Sequence, residues 1–152
     1  MDATGSLAAK LLSETLMFDQ TSLAALEALA ANSDRGIVRR GEILVRQGEP
    51  SDRFFVVLSG RFTVHRDDVS DPIAEIGQGE LVGEVGFFAG LPRMATVVAA
   101  RDSIVLSICD HQFEKAASAL PSLRQSVTTF LARRFAKQSP ARLRRMPRAP
   151  AG

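Results

Sequence analysis

Cysteine occurs once in this chain, at Cys109, and histidine twice, at His65 and His111. A lone cysteine excludes an internal disulfide and fits a cytoplasmic address. Two histidines 46 positions apart do not make a metal site. They also do not supply the clustered ligands that metal-dependent cupin enzymes place on their strands. No apolar run approaches the ~18–20 residues needed to span a bilayer. The first stretch, MDATGSLAAKLLSETLMFD, has acids on both sides of a short apolar run and only Lys10 as a base. A secretory signal wants positive charge ahead of its apolar run, so this is not one. Acidic residues are missing from Arg133 onward, and glycine is missing between Gly90 and Gly152.

These gaps reshape the charge balance. The whole chain has 19 basic and 17 acidic residues, a net of +2, with a pI near 9.2. Seven of the bases (Arg133, Arg134, Lys137, Arg142, Arg144, Arg145 and Arg148) lie in the last 20 residues. The preceding 132 residues hold 12 basic and 17 acidic groups, a net of −5. The chain therefore reads as an acidic body with a basic end, and its pI describes neither. The basic end reads as solvated and disordered, and nucleic acid is an unlikely partner. A length of 152 residues with 45% hydrophobic content is one domain with a packed core.

Nine of the eleven glycines lie between Gly36 and Gly90, so the middle is punctuated by tight turns. Residues 7–31 read as helical, with Leu7, Leu11, Leu12 and Thr15 on one face. A second helix is capped by Thr21 or Ser22, with Leu23, Leu26 and Leu29 inward. Short strands are expected at 37–40, 43–46, 54–58, 62–65 and 73–76, with two more inside 96–108. Asp110 is the expected cap of a helix at about 111–119, which leaves Cys109 as a small core residue at a strand end. Pro121-Ser122 starts a last helix, with Leu123, Val127, Phe130, Leu131 and Phe135 inward. The expected fold is α+β, a mainly antiparallel, jelly-roll-like β-roll with helices at both ends. The expected divisions are 1–17, 18–136 (with the last helix at about 122–136) and the tail 137–152.

The segment Gly83-Glu84-Val85-Gly86-Phe87-Phe88-Ala89-Gly90-Leu91-Pro92-Arg93-Met94-Ala95-Thr96 has no period of two. It can form a single helical turn whose leading amides bind an anion, with glycines allowing close approach. Arg93 adds a planar, permanently charged fork for the same anion. Glu84 can accept from a sugar hydroxyl, as acids do at ribose sites. Taken singly, Arg93 reads as a surface ion-pair residue and Glu84 as a solvated acid. Together they read as a sugar-phosphate pocket.

The same residues resemble the phosphate-binding cassette of the cyclic nucleotide-binding domain family. The match consists of Gly83-Glu84, Val85-Gly86, Pro92-Arg93, Met94, Ala95 and Thr96-Val97. Upstream, Gly41-Glu42-Ile43-Leu44, Gln47-Gly48-Glu49 and Phe54-Phe55-Val56-Val57-Leu58-Ser59-Gly60 match the family's glycine-turn strands. Leu106 and Phe113 match its last strand and the following helix. The resemblance covers about Phe18 to Phe135.

It implies that Arg93 pairs with the exocyclic oxygens of a cyclic phosphate, with the amides of Gly86, Met94 and Ala95 bonding the same oxygens. Glu84 would accept from the ribose 2′-hydroxyl beside Gly83, and Val82 and Val85 would belong to the ligand site. The last helix would be a lid over the base, with Arg134 where channel-type members place an arginine over the purine. Members that prefer cGMP usually carry threonine straight after the cassette arginine. Met94 stands there, which favours cAMP. No cofactor, metal or catalytic group is implied.

A cytoplasmic sensor module without enzymatic activity is therefore expected, signalling to an effector domain or a partner protein. Because no membrane helix precedes the module, an effector downstream or on a separate protein fits better than a channel. Two other functions are weighed against it. A DNA-binding regulator of the catabolite-activator type needs a helix-turn-helix that the residues after Phe135 cannot hold. An enzyme, such as a cupin oxygenase or a cyclic phosphodiesterase, needs a metal cluster or acid–base pair that is missing.

Overall fold

The computed structural model describes residues 3–136 along the backbone and the side chains of 7–133. The tail 137–152 and the side chains of Arg134 and Phe135 lie outside the described residues. In chain order the elements are α1 (Ala3–Ser13), α2 (Leu23–Ala31), β1 (Asp34–Val38), β2 (Ile43–Val45), β3 (Arg53–Ser59), β4 (Arg61–His65) and β5 (Ala74–Gly77). They continue with β6 (Leu81–Val82), α3 (Glu84–Ala89), β7 (Thr96–Ala99), β8 (Ser103–Cys109), α4 (Asp110–Ala119) and α5 (Ser122–Ala136).

The fold is the expected antiparallel β-roll with flanking helices. One sheet runs β1-β8-β3-β6 and the other β2-β7-β4-β5, with every pairing antiparallel. The sequence of β3, RFFVVLS, explains the layering. Five successive positions are buried, because side chains alternate between two covered faces. Phe54, Val56 and Leu58 pack into the core shared with the helices. Phe55 and Val57 pack into the core between the sheets, with Val45, Phe62, Val97 and Ala99. In β8, Leu106 and Ile108 join the first core and Val105 the second. The β1-β8-β3-β6 sheet is thus the middle layer of three.

Several local expectations are corrected. The first strand is Asp34–Val38, three residues ahead of the expected 37–40. The two-residue β6 has no propensity signal of its own and exists because Val82 and Leu81 pair with Phe55 and Val56. Leu7 and Leu23 are exposed rather than inward. Ala8, Ala9, Ala25 and Ala30 take the buried positions, since small side chains let α1 and α2 approach closely. Ser22 is the α2 cap, accepting from the Ala25 amide at 3.2 Å. Thr21 instead hydrogen-bonds Ser126 on α5.

The α4 cap is Cys109, not Asp110. Gln112 Oε1 accepts from the Cys109 amide at 2.8 Å, and the Cys109 side chain accepts from the Gln112 amide. Gln112 can reach back because its amide nitrogen is held by Asp34 Oδ2 at 2.9 Å. Cys109 is half-buried rather than a core residue. Leu123 and Val127 anchor α5 in the helix-side core, with Phe130 and Leu131 partly buried against it. No described helix is long and apolar enough to cross a membrane.

Candidate ligand-binding site

The cassette runs from β6 through α3 and a loop into β7. Gly83 caps α3 with φ +74°, the left-handed region where a Cβ is strained. Space imposes a second constraint, because a Cβ there would lie 2.2 Å from Arg93 Nη1. Amides of the first helical turn have no intrahelical partner, and Gly83 offers no side chain to cap them. Phe87 and Phe88 turn the other way. Their rings lie 5.2 and 5.1 Å from Phe54, and Phe88 lies 5.0 Å from Phe113 of α4. Packed rings on one side fix the orientation of α3 on the other.

Arg93 is buried, its side chain only 5% exposed. Its Nη2 donates to the Arg53 carbonyl at 2.7 Å and its Nη1 to the Gly83 carbonyl at 3.3 Å. Asp52 Oδ1 lies 3.7 Å from Nη2, but that carboxylate is 69% exposed. Burial pushes the guanidinium below its usual range; Asp52 opposes this, the neighbouring Arg53 adds to it and Glu49 opposes it. A guanidinium has five N–H donors, and two carbonyls do not use them up. The site therefore holds a buried cation with donors to spare and a screened counter-ion. It is suited to one compact anion.

The backbone of Arg93 is equally fixed. Its amide donates to the Glu49 carbonyl at 2.9 Å, and its carbonyl accepts from Gly48 at 2.8 Å. The turn Gln47–Asp52 thus holds the cassette from outside. Sequence reasoning took this segment only as a glycine turn and missed Asp52 and the Arg53 carbonyl. Nothing in the local pattern tells that residues some 40 positions upstream would meet Arg93.

The other sequence-derived candidates fall into distinct places. Val82 is buried in the core between the sheets. Gly86 is buried inside α3, beneath Ser51 and Leu91. Val85 and Ala95 are half-buried, and Met94 is 54% exposed at the cassette rim. Glu84 is half-buried and lines a cleft of about 1060 Å³ between the α1–α2 connection, the β5–β6 turn and α5. Glu14, Asp19, Glu80 and Arg133 line the same cleft, whereas Arg93 does not. Gly83 joins the two sides, since its carbonyl accepts from Arg93 while its neighbour Glu84 faces the cleft. The Arg134 side chain lies outside the described residues. No cluster of three or more metal-ligating side chains occurs among the described residues.

Comparison with known proteins gives a consistent picture. The family described as cyclic nucleotide-binding domain matches residues 37–119. An "uncharacterized NTE family protein" of Mycobacterium tuberculosis is 34% identical over 123 residues, which is 81% of this chain and 21% of that protein. A cyclic nucleotide-gated potassium channel of Rhizobium etli is 32% identical over 111 residues, 73% of this chain and 30% of that protein. The chain thus spans less than a third of the length of these two relatives. The N-terminal domain of a transcriptional regulator from Streptomyces coelicolor superposes with a TM-score of 0.77 at 26% identity, covering 85% of this chain and 94% of that one.

Proposed function

Because the chain belongs to the cyclic nucleotide-binding domain family, we propose that it is a sensor module that binds 3′,5′-cAMP in the cassette and signals through α5. The family is regulatory. The observation that carries the reading is Arg93, a buried cation held beside α3 by carbonyls and a screened carboxylate. A cyclic phosphate is a compact monoanion that takes up the donors those partners leave over in charge-assisted bonds.

In this reading Arg93 and the amides of Gly86, Met94 and Ala95 hold the exocyclic oxygens. Glu84 accepts from the ribose 2′-hydroxyl, and Val82 and Val85 form the apolar surroundings. Met94 offers the base no hydroxyl, which favours cAMP over cGMP. One such hydrogen bond is worth about 1–2 kcal/mol, so the preference is roughly tenfold. Arg134 is the candidate lid residue.

A ligand can move α5 only by binding its two arrangements with different affinity. Leu123 and Val127 are buried, and exposing each costs about 1.5–3 kcal/mol. The movement is therefore confined to the half of α5 beyond Val127, with the first half remaining docked. The signal goes to an effector in a longer chain or on a separate protein, in the cytoplasm. The module itself performs no catalysis.

Calorimetric titration with cAMP, cGMP and cyclic dinucleotides tests the proposal. The expected result is cAMP binding in the low-micromolar range or tighter. No heat from any of them at about 1 mM, a binding energy of roughly 4 kcal/mol, would overturn it.

A further inference from the structure

We infer that Ser51 is a positioning residue of the cassette and that it forms one size-matched pair with Gly86. The inference rests on the reading of Gly83–Thr96 as the nucleotide cassette.

Besides the Asp52 ion pair, four hydrogen bonds join the upstream turn to the cassette. The Gln47 amide donates to Thr96 Oγ1 at 2.9 Å, the Gly48 amide to the Arg93 carbonyl at 2.8 Å, and the Arg93 amide to the Glu49 carbonyl at 2.9 Å. These three fix Arg93 and the start of β7. In the fourth, Ser51 Oγ donates to the Leu91 carbonyl at 2.6 Å, just past the C-terminal end of α3. The Leu91 amide in turn donates to the Gly86 carbonyl at 2.9 Å. Ser51, Leu91 and Gly86 therefore form one hydrogen-bonded line, and the serine hydroxyl sets how α3 leans on the turn that holds Arg93.

Gly86 is not kept for its backbone. Its φ is not among the positive values, and alanine is the better helix former by about 1 kcal/mol. Space is what excludes a side chain. A Cβ at Gly86 would lie 2.5 Å from Ser51 Oγ, 3.0 Å from the Leu91 carbonyl oxygen and 3.3 Å from Ser51 Cβ. Serine occupies the volume that a side chain at position 86 would take. The pair thus places its one side chain on the turn, where it can bond Leu91, instead of on the helix.

The test is a mutant cycle in the full chain, using Ser51→Ala, Ser51→Gly, Gly86→Ala and the double variant Ser51→Gly/Gly86→Ala. Dissociation constants for cAMP and thermal midpoints are measured for each. Ser51→Ala is expected to weaken cAMP about 3- to 10-fold with little change in midpoint, because it frees the Leu91 carbonyl without opening the fold. Gly86→Ala is expected to weaken cAMP about tenfold or more alone, and less than about threefold in the Ser51→Gly background. An equal penalty for Gly86→Ala in both backgrounds overturns the pairing. A lowered midpoint with unchanged affinity in Ser51→Ala overturns the positioning role and leaves the serine merely structural. If the unaltered chain binds neither cyclic nucleotide, the proposed function fails and the positioning role fails with it. The pairing is then decided by the midpoints, where background dependence of Gly86→Ala supports it and additivity overturns it.

Discussion

Replacing Arg93 by methionine separates a residue kept for a ligand from one kept for the fold. The cation is buried, and desolvation is the leading influence on it. The guanidinium stays charged at neutral pH, but a lowered folded pKa means that the folded state favours its charged form less than the unfolded chain does, so the charge works against folding. The Gly83 carbonyl keeps its bond from the Phe87 amide at 3.1 Å when Arg93 is gone. The Arg53 carbonyl loses the 2.7 Å partner, at a cost of about 1–3 kcal/mol. The Asp52 contact, at 3.7 Å to an exposed carboxylate, contributes about 0–1 kcal/mol. Relief of desolvation acts in the opposite direction and offsets part of these losses. Arg93→Met is therefore expected to cost no more than about 2 kcal/mol of stability, a fall in midpoint of roughly 4–8 °C. Removing a charge-assisted phosphate contact should weaken cAMP by about 2–4 kcal/mol, roughly 30- to 1000-fold. Urea unfolding and calorimetry read the two quantities separately. A stability loss above about 4 kcal/mol with cAMP affinity unchanged would refute the reasoning.

Three further outcomes are expected. Glu84→Gln should weaken cAMP about 5- to 30-fold and leave 2′-deoxy-cAMP unaffected, because the lost bond is to the 2′-hydroxyl; equal loss for both ligands places Glu84 elsewhere. Ser22→Ala should lower stability by about 1 kcal/mol through loss of the α2 cap, read as a fall in midpoint of about 2–4 °C. The Glu114 carboxyl should titrate below the usual carboxylate range, because Arg124 Nη1 donates to its Oε1 at 3.0 Å. A depressed carboxylate contributes above its unfolded value, and the contribution is lost as pH falls through the folded one. Side-chain NMR should show Arg124→Gln returning Glu114 to the ordinary range.

What the sequence made legible follows the range over which each signal acts. The helices and most strands were readable because their burial periodicity is local. The FFVVL run told that β3 is covered on both faces without telling by what. Leu7 and Leu23 were misplaced because periodicity ranks leucine above alanine, whereas a close helix pair prefers alanine. The Asp110 cap was misassigned because cysteine is a poor cap by propensity, and Gln112 makes the difference through Asp34, far away in sequence. The cassette was legible as a motif, but the surroundings of Arg93 were not. Asp52 and the Arg53 carbonyl reach it, and Ser51 reaches Leu91 nearby, through long-range packing that a local pattern does not encode.

Ring packing and one ion pair form a continuous line of contacts from α3 to α5. Phe88 packs edge-on to Phe113 at 73°, and Phe113 belongs to α4. Glu114, the next residue along α4, is bonded to Arg124 on α5. The rings thus join α3 to α4, and one ion pair and the Leu123 anchor join α4 to α5. Packing of this kind is necessary for coupling and not sufficient, because the rings must have two arrangements that ligand and helix both bias. Phe113→Leu tests whether they do. It removes an aromatic contact worth about 0.5–1.5 kcal/mol beyond its area and leaves the Arg93 surroundings intact. Affinity for cAMP should then change less than about threefold, while the amide shifts that cAMP produces beyond Val127 should shrink. By reciprocity, shortening α5 after Val127 should alter cAMP affinity less in the Phe113→Leu chain, where only the direct lid contact is lost, than in the unaltered chain. If the α5 shifts persist in full after Phe113→Leu, the rings are only filling space, and the signal reaches α5 across the cleft that Glu84 shares with Arg133.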